Sequence, residues 1–323
     1  MSQREYGGYM EMEHLYGKEY HMTPFRFNTA HHALRFLLRE KEIRTIYLPR
    51  YICPVVFEAC REENVEAFWY DVDMNFRPVS ETVPKDAWFY FINYYGQFDE
   101  VEIRALQKRH PYMIVDNIQA FFQKPVLGLD TIYTCRKFFG VSDGAYLYTN
   151  LSRTHYEQLP FDESCERIDH LVGRFERDAS SFYSSMQKVE KSLIHQPIRR
   201  MSHLTQNFLR GFDYGHIIKA RTKNFARLHQ FLSEDNLLSV HSVDGGYMYP
   251  FMVKGASKIR KELIAQKIYV PLLWPNEDVE RDVGSIAWKL THDILPLPID
   301  QRYNVEDMDV IVEAVRMSVR GGM

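Results

Sequence analysis

Three short segments carry residue types whose order could do chemistry. The first is Ile114-Val115-Asp116-Asn117-Ile118-Gln119-Ala120, where a carboxylate leaves the end of an apolar run. Burying that carboxylate alone is costly, so Asp116 calls for a cationic or hydrogen-bonding partner, unless it only caps the next turn. The second is Thr134-Cys135-Arg136-Lys137-Phe138-Phe139-Gly140, running into Val141-Ser142-Asp143-Gly144-Ala145. A lysine held against aromatics and beside Arg136 has its pKa lowered, which suits Schiff-base chemistry. Taken alone, Lys137 reads first as a snorkelling surface lysine. The third is Phe27-Asn28-Thr29-Ala30-His31-His32-Ala33-Leu34. Small and polar residues opening a helix present free N–H groups to an anion such as phosphate, or else form a plain N-cap. His31 and His32 are adjacent, so on a helix they face different ways, and no metal is expected.

These segments need elements to position them. Asn28 is a good N-cap, and Ala33, Leu34, Leu37 and Leu38 then recur at helical spacing. The pattern predicts strands over 45–48, 67–72, 88–93 and 112–116, with helices over 55–63 and 101–109 between them. Lys137 falls on a strand-to-strand connection. Strands alternating with helices imply βαβ units and a mostly parallel sheet covered on both faces, with ligands at the carboxyl ends of its strands. Residues 1–24, rich in Tyr, Glu and Gly, show no period and predict an extended arm packed on the body or on a neighbouring subunit. From 162 to 234 the chain reads as charged and apolar helices interrupted at Pro197 and Gly211. Beyond that, strand-like runs (247–253, 267–271) mix with helices (257–266, 305–317), a smaller α+β unit.

The chain of 323 residues is 45% hydrophobic and 26% charged, which excludes a disordered tail and a small disulfide scaffold. Its length suggests roughly two domains. Lys+Arg 40 against Asp+Glu 43 leaves a net charge of −3, so no basic excess is available for nucleic acid. The cysteines, Cys53, Cys60, Cys135 and Cys165, form no CxxC pair and read as reduced thiols. No apolar run is long enough for a membrane span, and the polar, acidic first residues predict no signal or transit peptide. A cytoplasmic protein is expected. Neither GxGxxG nor GxxxxGK[ST] occurs, which weighs against a plain nucleotide-binding domain.

Taken together, a phosphate-type helix start, Asp-x-x-Gln after a strand and a later lysine resemble the DegT/DnrJ/EryC1/StrS sugar aminotransferases. These are pyridoxal 5'-phosphate (PLP) enzymes of fold type I. The resemblance runs from about residue 26 onward and is strongest over 28–149. Asn28 to Leu34 resembles the family's helix start, Asp116 to Ala120 its strand-end motif, and Lys137 ahead of Gly140 and Asp143-Gly144-Ala145 its cofactor lysine. Asn93-Tyr94-Tyr95-Gly96-Gln97, Arg221-x-x-Asn224 and Ile294-Leu295-Pro296-Leu297-Pro298 resemble further family segments.

The resemblance implies a large cofactor-binding domain (25–212) after an arm (1–24), then a small α+β domain (213–323). Lys137 would hold PLP covalently and carry protons, and Asp116 would pair with the ring nitrogen. Gln119 would lie against the ring or its phenolic oxygen, and Ala30, His31 and Thr134 would hold the phosphate. Tyr51, Cys53 and Asn93 complete the expected cofactor shell. The implied reaction moves an amino group from a donor such as glutamate to a nucleotide-linked keto-sugar, as in polysaccharide synthesis, in a homodimer. A PLP-dependent lyase or dehydratase and a non-catalytic binding protein are the alternatives. Several positions depart from the family pattern. Ala30-His31 stands for Gly-Thr, Cys53 falls where a ring-stacking aromatic aligns, and Ile132 replaces a serine, leaving Thr134 as the nearer hydroxyl. Pro271-Leu272-Leu273-Trp274-Pro275 lacks the family's late histidine.

Overall fold

The computed structural model describes residues 6–79 and 83–320; the first five residues of the expected arm lie outside the described residues. The chain opens with β1 (Phe25–Phe27), α1 (Ala30–Glu40), β2 (Thr45–Pro49), α2 (Pro54–Glu62) and β3 (Glu66–Val72). Next come β4 (Pro78–Val79), β5 (Trp88–Ile92), α3 (Glu100–Arg109), β6 (Met113–Asp116), β7 (Asp130–Thr134) and β8 (Ala145–Tyr148). A helical stretch holds α4 (Thr154–Glu157), α5 (Asp169–Glu176), α6 (Tyr183–Ser192), α7 (His203–Gly211) and α8 (Tyr214–Leu232). The chain finishes with β9 (Met248–Met252), α9 (Ala256–Ala265), α10 (Glu277–Arg281), α11 (Ile286–His292), β10 (Ile294–Pro298) and α12 (Val305–Arg320).

The first eight strands form one sheet in the order β1-β8-β7-β6-β5-β2-β3-β4. Its middle, β7-β6-β5-β2-β3, is parallel, and β8, β1 and β4 join antiparallel. β5 and β6 are unbroken apolar runs because both faces of a parallel strand are covered. Crossover helices between parallel strands send all of the strands' carboxyl ends to one edge, which is where Asp116 emerges. β9 and β10 form a separate antiparallel pair. Its core joins Phe225 and Leu228 of α8, Leu263 of α9 and Val315 of α12 to Tyr249, Phe251, Leu295 and Leu297.

Local details differ from the sequence pattern for physical reasons. The N-cap of α1 is Thr29, whose hydroxyl accepts the His32 N–H at 3.1 Å. Asn28 is instead held one residue earlier, donating to Asp162 at 3.0 Å and facing His32 Nδ1 at 2.5 Å. Residues 267–271 form no strand, because Lys267 turns the chain in the left-handed region (φ 63°) and Pro271 follows without an N–H to donate. The arm, exposed over most of residues 6–18, lies across α7, where Leu15 N–H donates to Asn207 and Asn207 donates back to Glu13 O, both at 2.9 Å. It ends in buried Glu19 and His21; Glu19 accepts from Arg26 and Tyr146. Among the described residues, no helix is long and apolar enough to cross a membrane.

Candidate active site

β6 and β7 run side by side, with Asp116 opposite Ile132, and each delivers one charged residue just beyond the sheet edge. Asp116 is the last residue of β6 and is buried. One carboxylate oxygen accepts from Tyr90 OH, the other from Ile118 N–H, both at 2.8 Å. Burial pushes its pKa up, while the Ile118 N–H, the Lys137 charge and Tyr90 pull the other way.

Lys137 sits three residues past β7, in a turn closed by the Phe138 and Phe139 N–H groups donating to Cys135 O. Its stem is half-buried, with Nζ 5.4 Å from the centre of the Tyr247 ring and 5.7 Å from that of Trp274. Burial lowers its pKa against the opposing pull of Cys53, Asp116 and Glu190. Of the two causes expected from the sequence, apolar surroundings lead and Arg136, which forms an ion pair with Glu190 of α6, adds a smaller push in the same direction. Burial thus drives a carboxylate and an amine each toward its neutral form, and the charge of each partly offsets that push on the other.

Gln119 is buried three residues past Asp116. Its Oε1 accepts the Tyr95 N–H at 2.8 Å, and its Nε2 is buried with no hydrogen-bond partner. An unsatisfied buried donor costs stability, so this amide is a prime candidate to meet a ligand. Tyr95 takes a left-handed backbone (φ 52°) to present that N–H. Cys53, the N-cap residue of α2, is a free thiol within the electrostatic reach of Lys137 and Asp116, its pKa raised by burial.

The other expected site residues make the following contacts. His31 points Nδ1 at Val55 O (3.1 Å) and Nε2 at Glu62 (3.2 Å), so its side chain faces α2. Glu62 is also held by Arg35 and His195. Asn93 is committed to its own loop and neighbours. Its Nδ2 donates to Phe98 O, Asn117 and Gln123, and its Oδ1 accepts the Phe98 N–H. Tyr51 is fully buried, its ring 5.2 Å from Tyr94 and 4.9 Å from Trp274. Thr134 lies at the end of β7 with its hydroxyl 3.5 Å from Gly144 O. The N–H groups of Ala30 and His31 open α1.

Two aromatic neighbours, Tyr90 and Tyr247, were not legible as site residues. Trp274 carried one signal, its place between Pro271 and Pro275, and it adopts a left-handed backbone (φ 63°) that is unusual for a bulky residue. The following Asn276 fastens that segment to β2's exit by donating to Arg50 O and Ile52 O.

No family model and no curated protein matches the chain. Solved structures do. The fold is similar to that of DesV from S. venezuelae, solved in complex with a ketimine intermediate (TM-score 0.65, 16% identity, 91% of this chain and 84% of that chain). It is similar to a DegT DnrJ EryC1 StrS aminotransferase from Brucella abortus (TM-score 0.59, 13% identity, 90% and 84%). A third likeness is to NtdA from Bacillus subtilis with bound cofactor PMP (TM-score 0.63, 12% identity, 92% and 73%). The chain therefore has the fold of these aminotransferases, the type I fold of PLP-dependent enzymes, with Asp116 and Lys137 at the carboxyl edge of its parallel sheet.

Proposed function

We propose that the protein is a PLP-dependent aminotransferase that moves an amino group from a donor such as glutamate to a keto-sugar, carried on a nucleotide. The single observation behind this reading is that buried Asp116 and Lys137 lie within one another's electrostatic reach at adjacent strand ends of a type I fold. The side chains suit the cofactor in a second respect, because Gln119 Nε2 is a buried donor left without a partner.

When bound, PLP supplies an aldehyde and an electron-withdrawing ring. Lys137 would attach to it through Nζ, the lowered pKa leaving more of the amine unprotonated, and would then take the proton from the donor's amine-bearing carbon and later deliver one to the acceptor's keto carbon. Asp116, fixed by Tyr90 and the Ile118 N–H, would hold a proton on the ring nitrogen through charge. Gln119 Nε2 would donate to the ring's phenolic oxygen. The N–H groups of Ala30 and His31 would receive the phosphate at the start of α1, with the Thr134 hydroxyl beside them. Cys53 would lie against the ring, Trp274 and Tyr247 would exclude water from Nζ, and Asn93 would shape the loop that carries Tyr95. The site would be completed in a homodimer.

The expected outcome of Lys137→Ala is loss of turnover and of borohydride-trapped PLP with the melting temperature retained; full activity would overturn the reading. Asp116→Asn should keep PLP and lose most of the rate. A binding-protein reading draws on one observation, the capture of the His31 side chain by Glu62. It predicts that PLP, if retained, is unchanged by any amino donor.

A further inference from the structure

Arg221 is a large, fully buried side chain, 1% exposed, with no carboxylate among its hydrogen-bond partners. Asp300, whose charge it feels, is held by Arg302 at 2.6 and 2.8 Å. A buried guanidinium without a counter-ion is costly, and burial lowers its pKa to about 10. Its donors go to carbonyls on both sides of Lys137. Nη2 donates to Phe138 O at 3.2 Å, the carbonyl of the residue after Lys137. Nη1 donates to Gly246 O at 3.0 Å and to Tyr247 O at 3.2 Å, and the Tyr247 ring is one of the two that flank Lys137 Nζ. The guanidinium also lies 4.8 Å from the Phe138 ring. Gln301 doubles the grip: it accepts from Arg221 Nε and donates to the same Phe138 O, both at 2.8 Å.

A planar fork with several donors is the side chain suited to holding two backbone segments in one geometry. We propose that Arg221 and Gln301 are positioning residues for Lys137, pinning the lysine turn through Phe138 O and tying it to the Gly246–Tyr247 segment so that Nζ stays enclosed by Tyr247. The proposal rests on Lys137 being the reactive amine of the site. Loosening the pin lets the ammonium reach water, which raises the pKa of Lys137 toward the ordinary lysine value.

The test is reductive methylation of the full chain with formaldehyde and cyanoborohydride across a pH series, with modification of Lys137 followed by peptide mass. Exposed Lys108 on α3 serves as the internal control. Gln301→Met and Arg221→Lys both leave the charge around Lys137 unchanged. Each should raise the pH midpoint of Lys137 labelling by a fivefold change in its ionisation constant, about 0.7 of a pH unit, roughly the worth of one hydrogen bond. The Lys108 midpoint should not move. An unchanged Lys137 midpoint in folded Gln301→Met protein, judged by its melting curve, would overturn the proposal. Gln301→Met is half-buried and decides the matter alone if Arg221→Lys does not fold. Labelling needs no cofactor, so wild-type protein that never binds PLP would overturn the aminotransferase reading while the midpoint still settles the positioning role.

Discussion

Asp116 and Lys137 are each pushed toward neutrality by burial, and the charge of each opposes that push on the other, at Lys137 alongside Cys53. Removing one therefore changes the other: in Lys137→Ala, Asp116 keeps Tyr90 and the Ile118 N–H but loses its cation and shifts further toward the protonated form. Gln119 offers a sharper probe, because its two amide ends do different things. Gln119→Glu keeps an acceptor for the Tyr95 N–H and replaces the unpartnered donor with a second acceptor. It should weaken PLP binding by roughly tenfold or more, the loss of a hydrogen bond to a charged oxygen. A fluorescence titration with PLP checks this, and an unchanged affinity would mean that Nε2 does not face the cofactor.

At the scale of elements, α1 shows what capping does for the site. Thr29, not Asn28, satisfies the His32 N–H, so Thr29→Ala should cost about 1 kcal/mol and fray the turn that carries the Ala30 and His31 N–H groups. Urea midpoints of Thr29→Ala and Thr29→Ser, the latter near wild type, test that assignment. The parallel strands were legible because 88–92 and 113–116 are short apolar runs between helical periods, and a carboxylate at the end of such a run already points to a partner. The direction of His31 was not legible, since it depends on Glu62, which α2 brings alongside α1. Trp274 and Tyr247 reach Lys137 from segments more than a hundred residues away in sequence, and no local period encodes that approach. The strand expected at 267–271 is prevented by Pro271, which the sequence shows, and by left-handed Lys267, which composition does not reveal.

Three hydrophobic clusters make up the core of the described residues, and buried histidines couple its stability to pH. His21 is enclosed by Phe121, Tyr133, Tyr146 and Tyr148, and His32 lies on the buried face of α1 against Asn28. Burial lowers both pKa values to about 3, from an ordinary value of 6.5. Between those limits the unfolded chain binds protons that the folded chain refuses, so stability is full above pH 6.5 and falls as the pH drops. By pH 5 each histidine should account for about 2 kcal/mol of lost stability. Denaturant midpoints at pH 7.5 and 5.0 check the sign, and His32→Gln should reduce the difference by about half; a flat profile would contradict the account.

The most direct measurement is the absorbance spectrum of the purified protein with PLP, before and after glutamate, followed by borohydride trapping and peptide mapping. The account predicts a visible band whose trapped cofactor maps to Lys137 and which glutamate bleaches. A band that no amino donor bleaches, or a cofactor trapped on any other lysine, would contradict it.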